Sequence, residues 1–379
     1  MNRRGAVVGI GRTEFTRASG RTPLAMAVEA ARAALDDAGM SADELDGAVT
    51  FALGDSAHTF EVMHGLGLAE HAWSIDLHAG GLAAVAVVQE ALSAVETGMC
   101  EAALVYRSFN GRSGTRFGTW EGRLEIPGEE QFMAPHGYYT WAQRVAMAVQ
   151  RHQHDHGSTC EDLGQIALIQ RRHAQANPHA IARGDLDLEG YLSGRWVAEP
   201  LRVFDCCQEV DGAVAVIVTT EERARHLRHR PILSLGSTQS QGGGGSVDQW
   251  PDLTTMYSVH AAPRLWAKTG VGPADIDVAC MYDCFTATVM MTFEDFGFCG
   301  KGEVGKFFAE GRATYGGDVV VNPHGGLLSE GYLHGLNHTF EAVLQLRGDA
   351  GDRQVAGAEL ALVTAGAGPF GGAIVYGRG

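Results

Sequence analysis

Three clusters in the second half of the chain combine proton-transferring side chains with dense glycine. Tyr282-Asp283-Cys284-Phe285 directly follows a short apolar stretch, Asp277–Met281. Asn322-Pro323-His324-Gly325-Gly326-Leu327-Leu328 then runs into Ser329-Glu330-Gly331-Tyr332-Leu333-His334-Gly335. The third cluster is Thr364-Ala365-Gly366-Ala367-Gly368-Pro369-Phe370-Gly371-Gly372. Glycine at this density near strand ends lets backbone approach a ligand and lets N–H groups point into a pocket. Strand-end loops of an open α/β sheet are also where ligands sit. His334 and His338 lie close enough in sequence to Tyr332 to tune it, while Asp283 reads as a residue that orients its loop. A lone tyrosine after a strand is more often a packing residue than a catalyst.

Other reactive types are less promising. The cysteines, Cys100, Cys160, Cys206, Cys207, Cys280, Cys284 and Cys299, form no C-x-x-C pair and no Cys/His ligand spacing. Reduced, buried and inert thiols are expected, and no metal. His152, His154 and His156 read as a solvated cluster at a polar helix end, and His78 as a packing residue at a helix start. Arg223, Arg225, Arg228 and Arg230 read as a solvated basic face.

The elements that must hold these clusters alternate between strand and helix signals. Ala6–Ile10 and Ala48–Ala52 are predicted strands. Thr22-Pro23 opens a helix with a cap and a first-turn proline, Leu24, Val28, Ala31 and Leu35 follow at helical spacing, and Gly39 closes it. Leu82, Val85, Val88, Leu92 and Val95 line a small-residue helix that can pack closely on both sides, and Ala102–Tyr106 is the next strand. From Ser108 to about Asp205 the rhythm breaks into a segment with Trp120, Trp141 and Trp196, read as an inserted loop region. After the strand Ala213–Val218, Glu221–Arg230 reads as an exposed helix, Ile232–Leu235 as a strand and Gly236–Ser246 as a mobile loop. Asp277–Met281, Glu359–Thr364 and Ala373–Tyr376 complete the strands. The pattern predicts a mainly parallel sheet covered on both faces, with similar halves at 1–230 (insertion about 108–205) and 231–379.

The chain has 379 residues, 45 Asp+Glu against 29 Lys+Arg and a net charge of −16, which argues against a nucleic-acid surface. The longest apolar run, Leu82–Val88, is far too short for a bilayer core of roughly 30 Å. The opening Met1-Asn2-Arg3-Arg4 lacks a secretory apolar core. A cytoplasmic protein without a membrane segment is expected.

Taken in order, the clusters resemble the thiolase superfamily, in its sterol-carrier or lipid-transfer branch. That branch carries His-Asp-Cys-Phe and Asn-Pro-x-Gly-Gly-Leu-x-Ser-x-Gly-His-Pro-x-Gly motifs, matched here by Tyr282–Phe285 and Asn322–Gly335. Gly297-Phe298-Cys299-Gly300-Lys301-Gly302-Glu303, Thr314-Tyr315-Gly316-Gly317, Asn177-Pro178-His179-Ala180, and Pro200-Leu201 leading to Asp211-Gly212-Ala213 extend the likeness. The resemblance implies a thiolase-like α/β fold of two similar halves with an inserted loop region. Yet the thiolase nucleophile, a cysteine at the start of the central helix, is missing from the matching window His78-Ala79-Gly80-Gly81-Leu82. The second thiolase cysteine, expected near Gly366, is missing too. Tyr332 and Tyr282 stand where both motif histidines would be.

Acyl transfer needs a thiolate to hold the acyl group, whereas retro-aldol cleavage of a β-hydroxyacyl-CoA needs only a base, enolate stabilisation and an acid. Two tyrosines facing one pocket suit that traffic, provided the site favours phenolate over a pKa near ~10. The pattern resembles the lipid-transfer-protein aldolases of steroid side-chain degradation, which cleave 17-hydroxy-3-oxo-pregnene-20-carboxyl-CoA to androstenedione and propionyl-CoA. By that resemblance Tyr282 and Tyr332 are the catalytic pair, with Asp283, His334 and His338 supporting them. Tyr332 is assigned as base and Tyr282 as proton donor, with the reverse assignment open. The resemblance further implies a CoA thioester as substrate and no tightly bound cofactor. It implies a homodimer, and a small partner with an OB-fold and a zinc ribbon in a heterotetramer. The rival readings are a non-catalytic acyl-CoA or sterol binder and a thiolase or acyltransferase using another thiol.

Overall fold

A computed structural model describes residues 3–379 apart from 115, 117–127, 129, 243 and 245, so the predicted role of Trp120 lies outside the described residues. The strands are β1 (Gly5–Arg12), β2 (Gly47–Ala52), β3 (Trp73–His78), β4 (Ala102–Asn110), β5 (Trp196–Ala198) and β6 (Leu201–Arg202). They continue with β7 (Asp211–Thr220), β8 (Ile232–Gln241), β9 (Val278–Cys280), β10 (Val320–Val321), β11 (Leu360–Ala367) and β12 (Phe370–Arg378). Among the described residues, β5 and β6 form a separate pair and the others make one ten-stranded sheet.

Its order is β10-β9-β11-β12-β8-β1-β7-β4-β2-β3, so the edge-to-centre order β3-β2-β4-β7-β1 recurs as β10-β9-β11-β12-β8. Orientations recur too. β2 is parallel to β3 and β4, and β9 is parallel to β10 and β11, while the strands nearer the centre are antiparallel. The halves meet where β1 and β8 pair antiparallel through Ala6↔Leu233 and Val7↔Ile232.

The sheet is therefore mixed rather than mainly parallel. One reason is local: β11 and β12 are joined only by Gly368-Pro369, with Gly368 at φ 60°, a connection too short for a parallel crossover. The predicted mobile loop Gly236–Ser246 begins inside β8, which pairs with β12 from Ile232↔Arg378 to Gln241↔Phe370. The polar run Ser237-Thr238-Gln239-Ser240 hides this strand in the sequence, and its partner supplies the order. The predicted helix Glu221–Arg230 ends at Ala224. Among its described residues, the predicted loop region carries two long helices, Trp141–His156 and Cys160–Gln175.

The layers run helix, sheet, helix, sheet, helix. Helix Pro23–Ala38, capped by Thr22 and closed by Gly39 at φ 72° as its spacing predicts, covers the outer face of the first half. Helices Ser258–Thr269 and Thr286–Asp295 cover that of the second. Between the two inner faces lie helices Ala83–Thr97 and Leu336–Arg347. Val85, Val88, Leu92, Phe340 and Val343 join Val49 and Val105 from one half and Val278 and Val363 from the other in one core. Alanine and valine on Ala83–Thr97 let strands approach from both sides, which is why this helix is almost wholly buried. Among the described residues, no helix is long and apolar enough to cross a membrane.

Candidate active site

Tyr282 sits just past the end of β9, where an asparagine side chain replaces strand pairing. Asn322 accepts the Met281 N–H at Oδ1 (2.7 Å) and donates Nδ2–H to the Met281 carbonyl (2.9 Å). Asn322 is itself at φ 48°, a left-handed conformation that asparagine tolerates better than most residues. Thr364 Oγ1, on β11, accepts the Tyr282 N–H at 2.8 Å. Asp283 is fully buried and its carboxylate accepts the N–H groups of Leu327 (2.9 Å) and Leu328 (3.1 Å), tying the first cluster to the second. Tyr332 is held from the other side, its N–H donating to the Gln208 carbonyl at 2.8 Å.

These ties bring the two phenols together: Tyr282 Oη and Tyr332 Oη are 2.9 Å apart, with the rings edge to face. Tyr282 is buried and Tyr332 half-buried. The pair lies at the N-terminal ends of both central helices. A Cβ built on Gly81, just before helix Ala83–Thr97, would lie 1.9 Å from Tyr282 Oη. One on Gly335, just before helix Leu336–Arg347 and at φ 87°, would lie 2.8 Å from the ring. No side chain other than glycine's hydrogen fits at 81 while Tyr282 is in place. The absence of a cysteine from that window thus has a steric counterpart, because the tyrosine hydroxyl fills the space beside the helix start.

Burial pushes both phenols well above their ordinary pKa, and the neighbouring thiols Cys207 and Cys284 add to this, so the expectation of a site that favours phenolate is corrected: desolvation opposes ionisation of either ring. Their mutual hydrogen bond can stabilise whichever of the two is ionised, since either hydroxyl can donate, and the Arg107 guanidinium favours the Tyr332 phenolate. The partial positive charge at the two helix N-termini works in the same direction for any anion formed here.

The histidines surround the pair without joining it by hydrogen bonds given to either hydroxyl. His338 is fully buried, with Nε2 3.3 Å from Asp283 Oδ1, Nδ1 3.1 Å from His324 Nε2, and its ring edge-on to Tyr282. His334, at φ 55°, packs its ring against Tyr332 at 4.8 Å and accepts Arg107 Nε–H at Nδ1 (3.1 Å). Burial, reinforced by Arg107, holds His334 well below its ordinary pKa, so the ring is neutral. Glu330 is also buried and binds Arg12 (2.9 Å), Asn177 (3.0 Å) and Asn337 (2.7 Å), which anchors the turn before Tyr332.

Several expectations are corrected. His152 is not solvated but buried, bonded to Ser158 Oγ and Glu294 Oε2 at 2.8 Å each, because it lies on the inner face of its helix. His78 ends the edge strand β3 and is exposed rather than packed at the helix start. Cys280 and Cys284 are buried as expected, and burial pushes the Cys284 thiol up to about 12. Cys299 is only half-buried. Among the described residues, no three His, Cys, Asp or Glu side chains are grouped to hold a metal. Sequence reasoning passed over Arg107, whose signal was a lone charge in the apolar strand Ala102-Ala103-Leu104-Val105-Tyr106-Arg107.

Comparison with known proteins identifies relatives along almost the whole chain. Residues 241–376 match the thiolase C-terminal domain-like family. The chain is 42% identical to the 17-hydroxy-3-oxo-4-pregnene-20-carboxyl-CoA lyase of Mycobacterium tuberculosis, with 96% of each chain covered. It is 40% identical to the steroid side-chain-cleaving aldolase of Thermomonospora curvata, over 96% of this chain and 95% of that one. A solved structure described as "Ltp2-ChsH2(DUF35) aldolase" superposes with a TM-score of 0.92 at 38% identity, covering 99% of this chain and 98% of that one. The acetyl-CoA acetyltransferase of Syntrophomonas wolfei shares the fold at a TM-score of 0.74 and 14% identity over the full length of both. With relatives of this similarity along almost its whole length, the chain belongs to the thiolase superfamily, in the family of steroid side-chain-cleaving aldolases.

Proposed function

We propose that the chain catalyses retro-aldol cleavage of a steroid β-hydroxyacyl-CoA, of the type 17-hydroxy-3-oxo-4-pregnene-20-carboxyl-CoA, to androstenedione and propionyl-CoA. The observation that carries this reading is the 2.9 Å contact between the Tyr282 and Tyr332 hydroxyls beside a helix start with no room for a nucleophilic side chain. Tyr332, in its minor phenolate form, takes the proton of the substrate's tertiary hydroxyl. The bond between the α- and β-carbons breaks, the β-carbon leaves as a ketone, and the electron pair passes into the thioester enolate. Tyr282 gives its proton to the α-carbon. The resulting Tyr282 phenolate recovers a proton from Tyr332 across their shared hydrogen bond, which restores the starting state with no net gain or loss. Tyr332 is assigned as base because the Arg107 guanidinium favours its ionised form. Asp283, His334 and His338 act as positioning residues.

Acyl transfer through a thiol at the start of helix Ala83–Thr97 is disfavoured by Gly81, where Tyr282 leaves no room for a side chain. The halves 1–230 and 231–379, a homodimer, a small OB-fold and zinc-ribbon partner in a heterotetramer, a cytoplasmic location and the lack of a tightly bound cofactor belong to the same reading. The partner is supported by the second component named with the "Ltp2-ChsH2(DUF35) aldolase" structure. To test the assignment, Tyr282→Phe and Tyr332→Phe are assayed, with and without the partner, for ketone and propionyl-CoA release. Each should lose about 10²–10⁴-fold in kcat, the range for a general acid or base, with binding of the CoA ester retained. Turnover undiminished in both variants would overturn it.

A further inference from the structure

Arg107 is the largest fully buried side chain of the described residues, and nothing in the cleavage as written uses it directly. It projects from β4 between the rings of Phe51 and Phe109, its guanidinium carbon 5.3 Å and 4.3 Å from their centroids. Its Nη2 meets both carboxylate oxygens of Asp55, at 2.8 and 2.7 Å, and its Nε–H points to His334 Nδ1 at 3.1 Å. A guanidinium stays protonated, so the atom it meets on His334 must be a lone pair. That sets the His334 ring as the neutral Nε2–H tautomer. The same ring stacks on Phe109 at 4.8 Å and stands edge-on to Tyr332 at 4.8 Å. Asp55 is about a quarter exposed whereas Arg107 is fully enclosed, so water screens the carboxylate more than the cation.

We propose that Arg107 is a positioning residue of the cleavage reaction: held by Asp55, it locks the His334 tautomer against Tyr332 and sets a buried positive charge behind the base. This rests on the assignment of Tyr332 as base. Among the described residues, the other charged and titratable groups around Tyr332 include Tyr282 and Cys284 from the segment after β9, and Cys207 and Glu209 from the segment before β7. Glu209 is itself paired with Arg116 at 2.5 Å. Tyr282 and the two thiols are neutral when protonated, which leaves Arg107 as the cation that faces Tyr332 from β4. Asp55, on its far side, opposes it.

The two charges therefore predict opposite outcomes. A phenolate base gives a rate that rises with pH, and the position of that rise follows the Tyr332 pKa. Arg107→Met removes the cation and should move the rise to higher pH by about one unit or more, roughly a tenfold loss at neutral pH. Asp55→Asn removes the opposing anion and should move it to lower pH. Arg107→Lys keeps the charge without the bond to His334, and should leave the rise near its original place while lowering kcat. The measurement is the pH profile of kcat/KM for ketone release by the chain with its partner, alongside thermal melting of each variant. Should Arg107→Met not fold, the direction of the Asp55→Asn shift decides alone. A profile that stays in place or moves upward in Asp55→Asn would overturn the proposal. A wild-type preparation with no cleavage at any pH would instead overturn the proposed function, so the two failures are distinguishable.

Discussion

Tyr282 and Tyr332 both meet a desolvation cost, with unequal help. Either hydroxyl can donate to the other, but Tyr332 also has a guanidinium behind its neighbour His334. The pair was legible in the sequence because the tyrosines stand at both positions where the branch's motifs carry histidine. Arg107 was not, since its partners Asp55 and His334 are 52 and 227 residues away and no local pattern links them. Asn322 illustrates how much the site depends on one side chain. Its amide makes both hydrogen bonds to Met281 in a fully buried place. Asn322→Ala would leave the buried Met281 carbonyl without its Asn322 partner and its N–H with only the Ala279 carbonyl, at 3.1 Å. A loss of about 1–3 kcal/mol in chemical denaturation is expected, together with reduced cleavage. A loss below about 1 kcal/mol would show that the clamp is dispensable.

At the scale of elements, the site is an arrangement of strand ends and helix starts. β9 and the short strand β10 deliver the tyrosine-bearing loops, and the two central helices end on them with glycines at 81 and 335. Helix Ala83–Thr97 was readable from its spacing, whereas helix Leu336–Arg347 was not anticipated. The extent of β8 was not, because a strand of serine, threonine, glutamine and glycine has little apolar alternation and owes its order to pairing with β12. The requirement at position 81 also escaped the sequence, where glycine alone reads only as flexibility. Gly81→Ala should abolish most cleavage by displacing Tyr282, and it should also destabilise the protein. Combining it with Tyr282→Phe removes the closest atom, leaving ring carbons at 2.7 Å and 3.1 Å. The double variant should therefore be more stable than the sum of the singles by about 0.5–3 kcal/mol in a double-mutant cycle. Additive losses would contradict the close approach.

At the scale of the whole molecule, the two halves share little sheet but much core. Only two residue pairs join β1 to β8, yet helices Ala83–Thr97 and Leu336–Arg347 are packed between both inner faces. The repeat of strand order was only suggested by the sequence, since the same topology is built from dissimilar residues and differing insertions. Segments 1–230 and 231–379 expressed separately should each expose an apolar helix face and fail to give a cooperative transition, while co-expression restores one. Independent cooperative folding of either segment would show that the shared core is not needed.

Carbon–carbon bond cleavage by the tyrosine pair requires no acyl group ever to be attached to the protein. This is tested most directly by rapid quenching of turnover of a tertiary β-hydroxy steroid acyl-CoA, with mass spectrometry of both the small molecules and the intact chain. Equal amounts of ketone and propionyl-CoA with an unchanged protein mass at every time point are predicted. A protein species heavier by an acyl group that forms and decays at the rate of turnover would contradict the account.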